Sequence, residues 1–226
     1  QWSAAALGSL PSGAPRDAQA VAARTDLPAL EYLAMPGPQS DVNMTWLLPP
    51  SDHPDFPSLL VAYRLLEDGA SSRLRRRLID ERALAYRVGA TLETYRDVSL
   101  LTVEASTSHG NVREVVEEVL AVIHSLATEA VAASEWDRWR RRATFDVASG
   151  LDHPSYICSA VGLAALLAGK DTPNERLQRA LASSPDAVRT NVSQYLGGAT
   201  MQLSVIGDLE PLERAALRRI IHRCRS

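Results

Sequence analysis

What most constrains this chain is where its strand-like segments fall. Two pairs of short apolar runs lie in the first half, and one more returns only after a long stretch of helical sequence, where Met201, Leu203 and Val205 alternate before Gly207-Asp208. A run with period two can bury one face only inside a sheet, so this late strand must join partners laid down much earlier. The order is strand pair, helix pair, strand pair, many helices, strand, helix. That segregation predicts an α+β fold, with an antiparallel-rich mixed sheet of about five to six strands packed against several helices, rather than the alternation of a doubly wound parallel fold.

The individual signals are local. Ala29 to Met35 and Val42 to Leu48 flank Pro36-Gly37-Pro38, a hairpin-like signal, and Pro49-Pro50 stops the second run. From Asp55, apolar residues at steps of three and four predict a helix that Gly69 ends, and Ser71-Ser72 can cap the next, running to about Arg82. Leu84 to Leu92 and Leu100 to Ser106 read as paired strands. The clearest helix covers Val112 to Ala127, where Val112, Val115, Val116, Val119, Leu120, Ile123 and Leu126 share one stripe and Glu114, Glu117 and Glu118 lie off it. Ser134-Glu135 opens a helix carrying Trp136, Trp139 and Phe145, and further helices are expected over Tyr156 to Leu167, Asn174 to Leu181 and Asp186 to Leu196. Asp208 is expected to cap a final helix.

With 226 residues, 46% of them hydrophobic, the chain can bury a sizeable core. Pro11, Gly13 and Pro15 among Ala and Ser make residues 1–25 a linker from a preceding domain, leaving 26–226 as the folded unit. The start, Gln1-Trp2-Ser3, carries neither Met nor a signal peptide and reads as a piece of something longer. Net charge is −3, with 24 basic residues among 27 acidic ones, so nucleic acid is not the expected partner. Cys158 and Cys224 are far apart and do not fix the redox compartment. No apolar run reaches the roughly 20 residues that cross a bilayer. A soluble chain of the bacterial periplasm or cytoplasm is expected.

Catalytic motifs are missing. A metallopeptidase needs clustered ligands such as His-Glu-x-x-His or His-x-x-Glu-His, and the five histidines are dispersed as His53, His109, His124, His153 and His222. There is no Gly-x-Ser-x-Gly elbow and no glycine-rich phosphate cradle; Asp80-Glu81-Arg82 reads as a helix terminus rather than an acid–base pair. No catalytic residue and no metal ligand is assigned.

One pattern is specific. Gly69-Ala70-Ser71-Ser72-Arg73-Leu74, followed by Arg82-Ala83-Leu84-Ala85-Tyr86, resembles the insulinase, pitrilysin and mitochondrial processing peptidase family of zinc metallopeptidases, in which Gly-x-Ser-Ser-Arg-Leu precedes Arg-Gly-Leu-Ala-Tyr. The Glu-Trp helix near Ser134 and Val205-Ile206-Gly207-Asp208 fit the same pattern. Family members pair two similar halves around a chamber, one carrying His-x-x-Glu-His and one without it. The resemblance implies that this chain is of the second kind. It would close the chamber and help bind a peptide substrate for a zinc-bearing half, in the same polypeptide or a separate subunit, with no cofactor of its own.

The resemblance also marks Tyr86 as the tyrosine that binds substrate together with an arginine seven residues earlier. Here that position is Ile79, which can neither donate a hydrogen bond nor stabilise negative charge. Arg82, or Arg77, stands near enough in sequence to act in its place, and Ala83 replaces the family glycine. Two alternatives stay open: that Tyr86 fills the core-facing side of the sheet, and that the chain is a structural or interaction protein of the same fold without a role in proteolysis.

Overall fold

The computed structural model describes residues 29–166, 171–197 and 201–225, together with residues 6, 8–10 and 13. The linker expected over 1–25 otherwise lies outside the described residues. One five-stranded sheet has the order β1 (Leu30–Ala34), β5 (Gln202–Gly207), β2 (Ser40–Leu48), β4 (Ser99–Thr107) and β3 (Ala85–Thr94). β1 and β5 are parallel and the other neighbours antiparallel, so the sheet is mixed and the fold α+β.

The register explains the burial. In β2, residues from Ser40 to Leu48 alternate between buried and half-buried, and Val42, Met44 and Trp46 meet Ala105, Val103 and Leu101 of β4 on the inner face. Across the outer face, Asp41, Asn43 and Thr45 stand opposite Ser106, Glu104 and Thr102 and remain partly open to solvent.

Helices build the other layer: α1 (Phe56–Leu66), α2 (Arg73–Arg75, continuing as a π-helix over Arg76–Glu81), α3 (Val112–Thr128), α4 (Ala133–Leu151), α5 (Pro154–Leu166), α6 (Pro173–Leu181), α7 (Pro185–Tyr195) and α8 (Pro211–Arg225). The stripe on α3 is buried as expected except at Leu120, which is half-buried against the core, and it also includes Val122. That helix packs on α7 and on the inner face of β2 and β4. Proline follows the cap at the start of α6 and α7, where its missing N–H costs no hydrogen bond. Thr172 and Glu175 form a reciprocal capping box at α6.

Two sequence expectations are corrected. β1 and β2 do not form a hairpin, because β5 lies between them. Skipping a strand requires about 9.6 Å, two interstrand spacings, and the five residues 35–39 reach that easily. Pro36 and Pro38 keep that loop out of any ladder. Asp208 does not cap the last helix, which begins three residues later at Pro211.

The Gly207-Asp208 motif instead serves close approach. A Cβ on Gly207 would stand 2.8 Å from the Cβ and 3.0 Å from the Cα of the buried Ser40. Its carbonyl accepts the Tyr32 hydroxyl at 2.9 Å, and that hydroxyl accepts Leu209 N–H at 3.0 Å, tying β1 to the end of β5. His109 fixes the neighbouring loop, bonding Ser40 Oγ through Nδ1 at 2.7 Å and the Gly37 carbonyl through Nε2 at 3.0 Å.

Candidate functional site

The segment joining α2 to β3 carries the residues singled out by sequence. Arg73 leaves α2 toward α4: its Nε and Nη2 each donate to Glu135 at 2.8 Å and its Nη1 to Ser125 Oγ at 3.3 Å. Leu74 and Leu78 are fully buried. The chain then widens into the π-helix, which sets residues five apart on one side. Arg77 and Arg82 have that spacing, and both reach Glu118 of α3: Arg77 Nε at 2.6 Å and Arg82 Nη1 at 3.4 Å. Arg82 also pairs with Glu114, and Arg77 with Glu81 at 3.3 Å. The hydrogen bond to Glu118, and then that to Glu81, raise the Arg77 guanidinium further above its already high pKa. These arginines bind the π-helix to α3, a role visible only once the irregular turn is known.

Ala83 ends the turn at φ 49°, a left-handed conformation that costs an L-residue with a Cβ roughly 1–2 kcal/mol. This is the position where the resembling family has glycine. Glycine would lose about 0.5–1 kcal/mol of that gain to its greater freedom in the unfolded chain. Ala83→Gly should therefore be stabilising by about 0.5–1 kcal/mol, a rise in unfolding temperature of roughly 2 °C for a chain of this size. A thermal melt showing a fall would contradict the left-handed geometry.

Beyond Ala83 the backbone is pinned. The Leu84 carbonyl accepts Thr107 Oγ1 at 2.5 Å, and Leu84 N–H donates to the Leu78 carbonyl at 2.8 Å. β3 then enters the ladder with a bulge: Ala85 pairs with Thr107 and Arg87 with Ser106, leaving Tyr86 as the extra residue. An extra residue breaks the alternation of faces. Ala85 is therefore buried, while Tyr86 and Arg87 both turn outward, Tyr86 with 69% of its surface exposed. Tyr86 does not fill the core. Its hydroxyl has no partner among the described residues, and neither does the Arg87 guanidinium.

The structure thus brings Tyr86 together with Arg87, a residue that sequence reasoning missed because strict alternation would put adjacent side chains on opposite faces. Arg82 is held by two carboxylates of α3. Ile79 is half-buried and packs on the core. β3 is an edge strand, so its outer backbone groups are available. The adjoining outer face is polar, with Ser106 Oγ donating to Asp41 Oδ1 at 2.5 Å and Thr45 and Thr102 hydroxyls 3.1 Å apart. Among the described residues no group of three or more His, Cys, Asp or Glu is placed to hold a metal ion. No helix there is long and apolar enough to cross a membrane.

The profile of the peptidase M16 inactive domain matches residues 1–142. Among solved structures, a protease from Helicobacter pylori superposes with TM-score 0.74 at 17% identity, over 80% of this chain and 44% of that one. A peptidase M16 inactive domain from Pseudomonas fluorescens gives 0.70 at 15% identity, over 80% of this chain and 45% of that one. The inactive peptidase domain of a candidate zinc protease from Bordetella parapertussis gives 0.65 at 21% identity, over 76% of this chain and 94% of that one. The chain thus spans under half the length of the first two and matches nearly all of the third. No curated protein sequence matches it closely enough to carry an argument. With the profile covering more than half of its length, the chain belongs to the peptidase M16 inactive-domain family.

Proposed function

We infer that this chain is the non-catalytic half of a two-part zinc peptidase, closing the chamber and offering Tyr86 and the adjoining sheet edge to an extended peptide. The zinc and its ligands would belong to the companion half, in the same polypeptide or in a separate subunit. The observation that carries the reading is the bulge at Ala85–Arg87. It turns a large aromatic with a free hydroxyl out to solvent on an edge strand, beside the outward Arg87.

An edge strand can hydrogen-bond an extended peptide through its backbone, while outward side chains select what lies alongside. The Tyr86 phenol can donate to a peptide carbonyl, and the Arg87 guanidinium beside it adds fixed donors and a charge. Arg82, neutralised by Glu114 and Glu118, would support this segment from behind.

Tyr86→Phe tests the reading, since it removes only the hydroxyl from an exposed side chain. Peptide cleavage by the assembled enzyme should fall in kcat/KM by about ten- to a hundred-fold, the scale of one hydrogen bond of roughly 1–3 kcal/mol to a reacting peptide. The unfolding temperature should stay that of the parent. Unchanged cleavage would make the chain's contribution architectural.

A further inference from the structure

The composition of α5 does not match its surroundings. Pro154–Leu166 carries no charged side chain and is mostly apolar, yet from Pro154 to Ala165 only Ala160 and Ala164 are half-buried and the others stand exposed. A helix that is apolar all round is normally covered on most sides. α5 instead packs chiefly on α4 and stands off from α1 and α6, leaving a cleft of about 360 Å³ among the four helices. That volume falls in the range of roughly 300–1,000 Å³ usual for small-ligand pockets.

The lining narrows what would fit. Leu60 of α1 and the buried Trp139 and Ala143 of α4 meet Leu177 and Ala180 of α6 on one side and Tyr156 and Ala160 of α5 on the other. Small side chains at Ala143, Ala160 and Ala180 leave the space open. The Tyr156 ring is seated by Gly150, where a Cβ would stand 2.8 Å from it. A held water needs two to four polar partners. These walls offer few, so a hydrocarbon displaces water from them favourably.

Charge selects further. Among the described residues no carboxylate lines the cleft, whereas two arginines do. Arg64 is occupied, its Nη1 bonding Asp68 at 3.2 Å and Asp146 at 3.1 Å. Arg176, half-buried on α6, has no partner for its guanidinium among the described residues. Its stem can lie along the apolar wall while its head stays at the mouth. The cleft therefore joins a hydrocarbon-lined interior to one uncompensated cation.

We propose that this cleft binds a free medium-chain fatty acid, with the hydrocarbon chain between α5 and the walls of α4 and α6 and the carboxylate on the Arg176 guanidinium. Charge-assisted bonds from a guanidinium to a carboxylate are the strong class of such contacts. None of these residues belongs to the Tyr86 edge, so the site stands whether or not that edge binds peptide. A bound chain covers the inner side of α5 and ties that helix to the body of the domain.

Decanoate, titrated calorimetrically into the full chain with decanol as its uncharged counterpart, tests the proposal. Decanoate should bind saturably, one to one, and raise the unfolding temperature, as a ligand of the folded state must. Decanol should bind at least about tenfold more weakly, because it leaves the guanidinium without a carboxylate. Arg176→Gln should bring decanoate down to the affinity of decanol and leave decanol unchanged. Ala160→Phe fills the cleft and should abolish binding of both; Arg176→Gln, at a partly exposed position, decides the matter if that variant does not fold. No saturable binding, equal affinities for decanoate and decanol in the parent, equal decanoate affinities in parent and Arg176→Gln, or attachment only to phosphatidylglycerol vesicles would each overturn the proposal. The last of these would make the exposed α5 a membrane-facing surface.

Discussion

Val119→Asp should lower the unfolding temperature of this domain by roughly 10 °C, through a loss of about 3–5 kcal/mol. Val119 is 1% exposed at the centre of the α3 stripe, facing the inner sheet and α7. An aspartate there would face the apolar core, since Arg77 and Arg82, the arginines paired to this helix, lie on the side of Glu114 and Glu118. Its charge would have to be buried unpaired or neutralised by taking up a proton. Either outcome takes a large share of the 5–15 kcal/mol that usually holds a domain together.

The pH dependence of this variant has a definite sign. Burial would raise the folded-state pKa of the new carboxyl above its unfolded value near 3.9. Between those two values the folded state binds more protons than the unfolded one, so the loss relative to the parent should shrink as pH falls from neutral toward about 4.5. Glu117→Ala, on the exposed side of the same helix, should change stability by less than about 0.5 kcal/mol. Equal melting temperatures for the two variants would refute the orientation of α3.

That helix was legible because its signal is local and repeated: seven buried positions recur with a helical period over a single segment. The strand alternation in β2, β4 and β5 was legible for the same reason. What sequence could not supply were features set by tertiary context. The hairpin signal at Pro36-Gly37-Pro38 marks a turn, but it cannot say whether the next strand lies beside β1 or one position beyond it. The late strand β5 fills that gap, 175 residues away from Tyr32 in the bond that ties them.

The candidate site divides in the same way. Tyr86 and Arg82 were visible as residue types in a recognisable order. The π-helix and the bulge, which decide where those side chains point, each involve one residue out of step with a regular repeat. Ala83 offered a hint, because a glycine expected at a turn and absent there marks a left-handed position held at a cost. Arg87 offered none, since its outward direction beside Tyr86 exists only through the register shift against Ser106 and Thr107.

Arg73 gives the second large effect, and it concerns how the motif segment is held. Arg73→Ala should cost about 2–4 kcal/mol, because it strands Glu135 in a mostly buried setting where both partners are nearly covered, at 11% and 16% side-chain exposure. Glu135 itself is in the first turn of α4, whose cap residue Ala132 supplies no side-chain bond. The free amides of that turn favour the carboxylate, which limits the loss and keeps the expected value below that of a fully buried pair. Ser125 loses a donor as well. Because the two bonds to Glu135 belong to one fork-to-carboxylate contact, Arg73→Ala with Glu135→Gln should be less damaging than the sum of the single changes by about 1.5–3 kcal/mol. Strict additivity in denaturant unfolding would mean that the contact contributes nothing to the fold. A coupling of the expected size would instead make Arg73 the tie that holds the motif segment of α2 against α4.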